Sequence, residues 1–120
     1  MLSSHPLFFS YFGTLAAAAN LYASHYSGTV NYLTFADTSL TLTTSTKSGN
    51  SLPSWLVYDG PGKALYVCDE SMQMPGTMTS FSIGANGALT PSGKVTTPAG
   101  NVASTLYGGE DGKGFMANAH

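Results

Sequence analysis

Apolar and polar side chains alternate along most of the chain after residue 20, which predicts β-strands that are half buried. Turn-forming glycine, proline and asparagine residues separate the alternating segments. The clearest turn is Ala85-Asn86-Gly87, because Asn and Gly tolerate a positive φ. The pattern predicts eight strands, at Leu21–Tyr26, Val30–Phe35, Leu40–Thr46, Trp55–Tyr58, Leu65–Cys68, Met78–Ile83, Leu89–Thr96 and Ala103–Tyr107.

These segments repeat loosely along the chain. Leu21-Tyr22-Ala23-Ser24 is echoed by Leu65-Tyr66-Val67-Cys68 and again by Phe115-Met116-Ala117-Asn118, while the turn Asp59–Lys63 parallels Gly109–Lys113. A repeat of about 40 to 50 residues with several strands in each unit is typical of β-propeller blades. We therefore predict an all-β fold, a partial β-propeller of about two four-stranded antiparallel blades, with repeat units at residues 21–64 and 65–114. A β-sandwich of two face-packed sheets is the alternative architecture.

Two blades cannot close a propeller ring, which is usually built from about four to eight. We therefore expect this chain to be the N-terminal part of a longer protein or a truncated product. On its own it should have open strand edges and be marginally stable or prone to aggregate.

The first 19 residues differ from the rest. An apolar run from Leu7 to Leu15 is followed by four alanines, and Ala17 and Ala19 fit the small-residue pattern of a signal peptidase site. We predict a signal peptide at residues 1–19, a mature segment at residues 20–120 and a secreted, extracellular protein. A buried N-terminal helix or strand is the alternative. No later segment is long and apolar enough to cross a membrane, so no membrane association is expected after cleavage.

Composition excludes several classes of protein. The chain has 4 basic residues, all lysine, and 6 acidic residues, so it lacks the basic stripe that a nucleic-acid-binding surface needs. Its single cysteine, Cys68, rules out an internal disulfide framework. No spacing of His and Cys suggests zinc, and no acidic loop suggests calcium. We therefore predict no cofactor and no metal.

A series of motifs between Leu52 and Thr90 resembles a known family. In order they are Leu-Pro-Ser-Trp-Leu, Asp-Gly-x-Gly-Lys-x-Leu-Tyr-Val-Cys-Asp-Glu, Pro-Gly-Thr-Met-Thr-Ser-Phe-Ser-Ile and Asn-Gly-Ala-Leu-Thr. The series is similar to the lactonase-type seven-bladed propellers, which include 6-phosphogluconolactonases and carboxymuconate lactonizing enzymes, and most of all to secreted fungal members. The resemblance implies a seven-bladed parent protein that is a lactonase, a carboxylic ester hydrolase, of which this fragment alone would be inactive.

The resemblance also locates the substrate chemistry, at the first residues of the innermost strands, which face the central channel. Family members commonly carry a histidine two residues after the proline there, whereas this chain has Trp55 and, in the next unit, Thr105. The substrate-binding candidates are Ser54, Trp55 and Ser104. The catalytic residues are not identified by sequence, and the acid–base candidates at strand ends are Glu70, His25 and His120. Strand-end histidines are more often structural, and a lone Trp more often packs in the core.

Two functions remain open at this stage. The first is the N-terminal part of a secreted hydrolase that opens a sugar lactone or a related cyclic acid. An exported protein favours an unphosphorylated lactone, because 6-phosphogluconolactone is a cytosolic metabolite. The chain has no arginine, the usual partner of oxyanions, so the anion-binding residues of a lactonase are expected in the missing blades. The second is a non-catalytic secreted propeller that binds carbohydrate or cell-wall partners, in which Trp55 stacks on a sugar ring.

Overall fold

A computed structural model of the chain describes residues 18–72 and 75–120, in which the regular structure is β-strand apart from one short 3-10 turn at Ala85–Gly87. The all-β prediction and the eight predicted strands are confirmed, with ends that fall within two residues of the expected positions. A ninth strand covers the third copy of the echoed motif. The strands are β1 (Ala19–His25), β2 (Thr29–Ala36), β3 (Ser39–Lys47), β4 (Pro53–Asp59), β5 (Ala64–Asp69), β6 (Gly76–Ile83), β7 (Leu89–Thr97), β8 (Ala103–Tyr107) and β9 (Phe115–Ala119).

The strands form three antiparallel sheets that follow one another along the chain. The first sheet has the order β1-β2-β3, the second β4-β5-β6-β7, and the third β8-β9. Strand β4 packs against β1 on one side and against β8 on the other, so the second sheet lies between its two neighbours. Consecutive small antiparallel sheets of this kind form part of a propeller. No helix in the described part of the chain is long and apolar enough to span a membrane.

The repeat is real, but the predicted boundaries of its units are wrong. The three echoed motifs form β1, β5 and β9. Strand β5 pairs with β4 and β6, whereas in the described residues β1 pairs only with the following strand, β2, and β9 only with the preceding strand, β8. Strand β4, which the sequence analysis placed at the end of the unit 21–64, pairs instead with β5 in the second sheet. A short turn joins β4 to β5, whereas residues 48–52 cross from β3 to the next sheet. The second sheet therefore begins with β4, the strand that the sequence analysis had placed at the end of the first repeat unit.

The core lies between the first and second sheets. Val30, Leu65, Val67 and Phe81 are buried and packed together. Strand β5 is an inner strand of the middle sheet, so residues on both of its faces are covered. Burying each large apolar side chain contributes about 1.5 to 3 kcal/mol. Strand β3 is the outermost strand of the first sheet and is exposed along most of its length.

The predicted turn at Ala85-Asn86-Gly87 is confirmed, and it also joins two sheets. Asn86 and Gly87 have φ values of 56° and 73°. The Gly87 carbonyl accepts a hydrogen bond of 2.9 Å from the Tyr22 hydroxyl. A side chain at Gly87 would collide with the ring of Tyr32, since a Cβ there would lie 2.3 Å from Tyr32 Cζ. The absence of a side chain thus allows the turn to dock on the first sheet.

Residues 1–17 of the predicted signal peptide lie outside the described residues. Ala19, the last residue of that predicted segment, is the first residue of β1.

Candidate functional site

A cleft opens where the first two sheets meet. Here β1 ends and β4 begins, so the end of the first echoed motif lies beside the start of the first strand of the second sheet. The cleft has a volume of about 330 Å³ and is lined by Ser24, His25, Tyr26, Pro53 and Ser54. The structure therefore brings two of the predicted site residues, His25 and Ser54, to one place.

His25 has a defined hydrogen-bonding pattern. The backbone N–H of Ser27 donates to His25 Nδ1 over 3.1 Å, and the Ser27 hydroxyl lies 2.8 Å from the same nitrogen. Because a backbone N–H always donates, Nδ1 is an acceptor, and the proton of the neutral ring is on Nε2. Neutral His25 therefore has an N–H donor at Nε2, while its Nδ1 is hydrogen-bonded to Ser27 in the turn that follows β1.

Glu70 is held beside this cleft by a tyrosine. The hydroxyl of Tyr26, which follows β1, donates a hydrogen bond to Glu70 Oε2 at the end of β5. The hydrogen bond to this carboxylate raises the pKa of Tyr26 above its ordinary value, with smaller contributions from desolvation and from the charge of Glu70. Tyr26 thus remains a protonated donor at neutral pH, and it fixes one oxygen of Glu70 at the rim of the cleft.

Asp69, next to Glu70, has a structural role. Its carboxylate accepts hydrogen bonds from the backbone N–H groups of Leu52 at 3.0 Å, Ser71 at 3.1 Å and Ser51 at 3.3 Å. The hydroxyl of Thr77, 3.3 Å away, shares its single proton between Asp69 and the Asn50 side chain. Burial alone raises the pKa of Asp69, but these hydrogen bonds outweigh it, and the net pKa is lowered. Asp69 thereby ties the loop before β4 to the end of β5, which positions Glu70.

Ser54 is placed in the cleft by a β-bulge. Pro53 pairs with Asp69 and Trp55 pairs with Cys68, so Ser54 is the extra residue of β4. A bulge turns a side chain away from the regular alternation. The Ser54 hydroxyl donates a hydrogen bond of 3.1 Å to the Asn101 carbonyl, and its lone pairs remain available as acceptors.

Trp55 connects the second and third sheets. Its indole N–H donates a hydrogen bond of 3.0 Å to the Ser104 carbonyl on β8, while 45% of the residue is exposed. One end of the indole is thus fixed by the protein, and part of the ring system is open to solvent. This arrangement leaves surface for stacking but also gives Trp55 a structural role.

Ser104 is not in the cleft. It is 9% exposed, and its hydroxyl lies 2.8 Å from Cys68 Sγ and 2.6 Å from Asn118 Oδ1. These contacts favour a structural role over the predicted contact with substrate. Cys68 is free and buried, and desolvation raises the pKa of its thiol, against hydrogen bonds from Ser104 and Asn101 that lower it. A buried thiol with a raised pKa is a poor nucleophile.

His120 is separated from the His25 cleft, although it is equivalent to Glu70 in the repeat. Its Nδ1 lies 3.1 Å from the Ala99 carbonyl, in the segment that leads to the third sheet. No group of three His, Cys, Asp or Glu side chains within residues 18–72 and 75–120 is arranged to hold a metal ion.

The sequence analysis missed Tyr26 as a member of the site. Aligning Leu21 with Leu65 places Tyr26 opposite Glu70, so the repeat contained a signal that these residues occupy equivalent strand ends. The sequence analysis also missed Asn50, whose buried side chain forms hydrogen bonds with Val67, Thr77 and Thr79. The sequence feature that could have identified Asn50 is the pair Gly49-Asn50, which recurs as Gly100-Asn101 before β8.

A comparison with protein families matches residues 11–120 to a family described as lactonase, 7-bladed beta-propeller. The match covers every strand described above and also part of the predicted signal peptide. Comparisons with curated proteins and with solved structures gave no match.

Proposed function

We propose that this chain, which belongs to the family of seven-bladed β-propeller lactonases, forms the N-terminal part of a secreted hydrolase that opens a sugar lactone or a related cyclic acid. Family membership supports the class of reaction. Within the chain, the observation that carries the proposal is the Tyr26–Glu70 hydrogen bond beside a cleft that also contains His25.

Opening a lactone requires a base that activates water and a donor that stabilises the oxyanion formed on the carbonyl oxygen. In this proposal Glu70 is the base, and Tyr26 orients its carboxylate. His25 is the donor, because its Nδ1 already accepts a hydrogen bond and its Nε2–H is left to donate to the carbonyl oxygen of the lactone. Ser54 would contact hydroxyl groups of the sugar from the bulge in β4.

The charges near the cleft support a neutral substrate. Glu70 stands beside it, and the chain contains no arginine. Two of the four lysines are bound elsewhere, since Lys113 pairs with Asp59 at 2.7 Å and Lys94 Nζ donates to the Gly49 carbonyl at 2.5 Å. The phosphate of a phosphorylated lactone would lie near the negative charge of Glu70, with no cation to pair with. We therefore propose an unphosphorylated lactone.

The test uses the secreted protein as its gene encodes it, including any sequence beyond residue 120. We expect it to hydrolyse neutral aldonolactones in a pH-stat assay. Glu70→Gln should lower kcat by about 100-fold or more, since it removes the base but keeps the shape of the side chain. Glu110→Gln, which changes an exposed turn residue, is the matched control and should not alter kcat. Full activity of a folded Glu70→Gln variant, or no hydrolysis by the unmodified protein, would contradict the proposal.

Export has its own test. Removal of residues 1–19 predicts that the secreted protein begins at Asn20. Amino-terminal sequencing of protein from the culture medium checks this, and a protein that stays in the cell with residues 1–19 attached would rule out export.

A second function, carbohydrate binding without turnover, is favoured by the partly exposed ring of Trp55. Trp55 is the only tryptophan of residues 1–120, so the fluorescence of this chain reports directly on a sugar that stacks on it. Quenching by oligosaccharides that the protein does not hydrolyse would support this function. Unchanged fluorescence at saturating sugar would exclude Trp55 as the platform.

A further inference from the structure

The turn that follows β1 contains a connected group of hydrogen bonds that ends at His25. The Nδ1 atom of His25 accepts the backbone N–H of Ser27 over 3.1 Å and lies 2.8 Å from the Ser27 hydroxyl oxygen. The same hydroxyl oxygen lies 3.2 Å from the hydroxyl oxygen of Thr29, the first residue of β2. Three side chains, each two residues from the next, thus form one group beside the cleft that His25 lines.

The directions of these hydrogen bonds follow from the backbone. Because the N–H of Ser27 can only donate, His25 Nδ1 carries no proton, and the Ser27 hydroxyl donates its single proton to that nitrogen. The Ser27 oxygen is then left as an acceptor, so the Thr29 hydroxyl donates to it. The donors therefore point one way along the group, from Thr29 through Ser27 to His25, and the proton of the neutral ring is on Nε2.

The other neutral tautomer of His25 does not fit this turn. A proton on Nδ1 would face the backbone N–H of Ser27, and neither group could accept from the other. Each hydrogen bond lost in this way shifts the balance between the tautomers about fivefold. His120 shows that the neighbours decide the tautomer, since its Nδ1 lies 3.1 Å from the Ala99 carbonyl, which can only accept, so that neutral His120 has its proton on Nδ1.

The turn is anchored to the segment that crosses to the second sheet. The Gly28 N–H donates to the His25 carbonyl over 3.0 Å, and the Gly28 carbonyl accepts from the backbone N–H of Ser48 over 2.9 Å. Ser48 is 1% exposed, so this connection is buried. Gly28 has a φ of 82°, and a Cβ there would lie 3.2 Å from the Asn50 carbonyl oxygen. The hydrogen-bonded group that ends at His25 is thus held on a fixed backbone.

The same turn carries Tyr26, whose hydroxyl donates to the Glu70 carboxylate. Tyr26 and Ser27 are the two central residues of the turn, because the Gly28 N–H bonds back to the His25 carbonyl. One turn therefore orients both groups that the proposed hydrolysis requires, the base through Tyr26 and the donor through Ser27.

We propose that Ser27 and Thr29 are positioning residues that keep neutral His25 in the tautomer with its proton on Nε2. The inference rests on the proposed function, in which His25 donates to the oxyanion. Ser27 and Thr29 act through His25 and do not touch the substrate. A ring without a proton on Nε2 could not donate from that nitrogen to the charge that forms on the lactone oxygen. Their contribution is therefore to the chemical step and not to substrate binding.

Nitrogen-15 NMR of the protein labelled at histidine tests the tautomer directly, with His25→Gln to identify the His25 signals. In the unmodified protein His25 should carry its proton on Nε2. Ser27→Ala removes the hydroxyl and keeps the backbone N–H, so the fraction with a proton on Nδ1 should rise about fivefold. Ser27→Thr restores a hydroxyl and should restore the original fraction. Ser45→Ala, which changes an exposed serine of β3, is the matched control and should leave the spectrum unchanged.

The kinetic test uses the secreted protein as its gene encodes it, with a neutral aldonolactone as substrate. Ser27→Ala should lower kcat about fivefold and leave KM within twofold, because the lost donor is needed only as charge develops. Thr29→Val, which keeps the shape and removes the hydroxyl, should lower kcat in the same direction but less. Ser27→Thr should recover the rate, and Ser45→Ala should not change it.

A proton on Nδ1 of His25 in the unmodified protein would overturn the inference, whatever the activity. So would an unchanged tautomer fraction in Ser27→Ala, a rise in KM at unchanged kcat, or a loss of rate that Ser27→Thr does not recover. Failure of the proposed function is a different result. No hydrolysis by the unmodified protein would overturn that function, and the NMR spectra would still decide whether Ser27 holds the tautomer.

Discussion

Tyr26 and Glu70 occupy the same position in two successive repeats, and they are hydrogen-bonded to each other across the interface between the first two sheets. Each follows the equivalent strand of its sheet, β1 in one case and β5 in the other. The interface therefore pairs a neutral donor with a carboxylate at the end of the fold where the cleft opens.

This pairing predicts the titration of Tyr26. Glu70→Gln should lower the pKa of Tyr26 towards its ordinary value, because the hydrogen bond to the carboxylate is the main cause of the raised pKa. The absorbance of tyrosinate as a function of pH measures the shift, and the difference from Tyr26→Phe isolates this group from the other tyrosines. Glu110→Gln should leave the curve unchanged. A Tyr26 titration that is the same with and without the Glu70 carboxylate would show that the hydrogen bond does not form in solution.

Asp69→Asn should destabilise the chain by about 2 to 3 kcal/mol, because an amide NH₂ would face backbone donors that now meet a carboxylate oxygen. The free energy of unfolding in urea measures the loss. Asp37→Asn is the matched control, since Asp37 is exposed and both residue types tolerate its φ of 48°. Equal stability of the two variants would mean that the hydrogen bonds to Asp69 contribute little.

Asp69 also predicts a pH dependence. Its pKa is lower in the folded chain than in the unfolded chain, so its contribution is present above the unfolded value of about 3.9 and is lost as the pH falls through the folded value. The free energy of unfolding of the unmodified chain should therefore decrease on acidification below about pH 4. The Asp69→Asn variant should show a smaller decrease over the same range. Parallel curves for the two proteins would contradict the assignment.

Lys113 and Asp59 join the turns of the second and third sheets at the ends remote from the cleft. Lys113→Met should raise the pKa of Asp59, since the hydrogen bond from Lys113 is the main cause of the lowered pKa. Carboxyl chemical shifts followed by NMR report this change. Lys63→Met is the control, because Lys63 holds the equivalent place in the preceding turn and forms no ion pair in the described residues. If both variants shift Asp59 equally, the effect is one of net charge and not of the contact.

Gly87→Ala should destabilise the chain by about 1 to 3 kcal/mol more than Gly112→Ala. Both glycines have a left-handed backbone, with φ values of 73° and 74°, so the backbone strain is matched. They differ in their surroundings, because a Cβ at Gly87 would meet the ring of Tyr32, and a Cβ at Gly112 would have nothing within 4 Å. The difference in thermal midpoint between the two variants measures the clash. Equal midpoints would mean that the turn does not dock on the first sheet.

Sequence alone was sufficient to predict the strands, the Asn86-Gly87 turn and the repeat of β1, β5 and β9. These features depend on local chemistry, namely the alternation of side chains and the residues that tolerate a positive φ. The order of several motifs was also sufficient to identify the family, as the match over residues 11–120 shows.

Only the tertiary structure decided which strands share a sheet and which side chains meet. The sequence of β4 would show the same alternation of side chains whether the strand paired with β3 or with β5. The alternation depends on which face of the strand is buried and not on which strand is its neighbour. Tyr26 and Glu70 are far apart in the chain, and their contact exists because two sheets pack side by side. Pairing and packing depend on residues distant in sequence, which a local pattern does not contain.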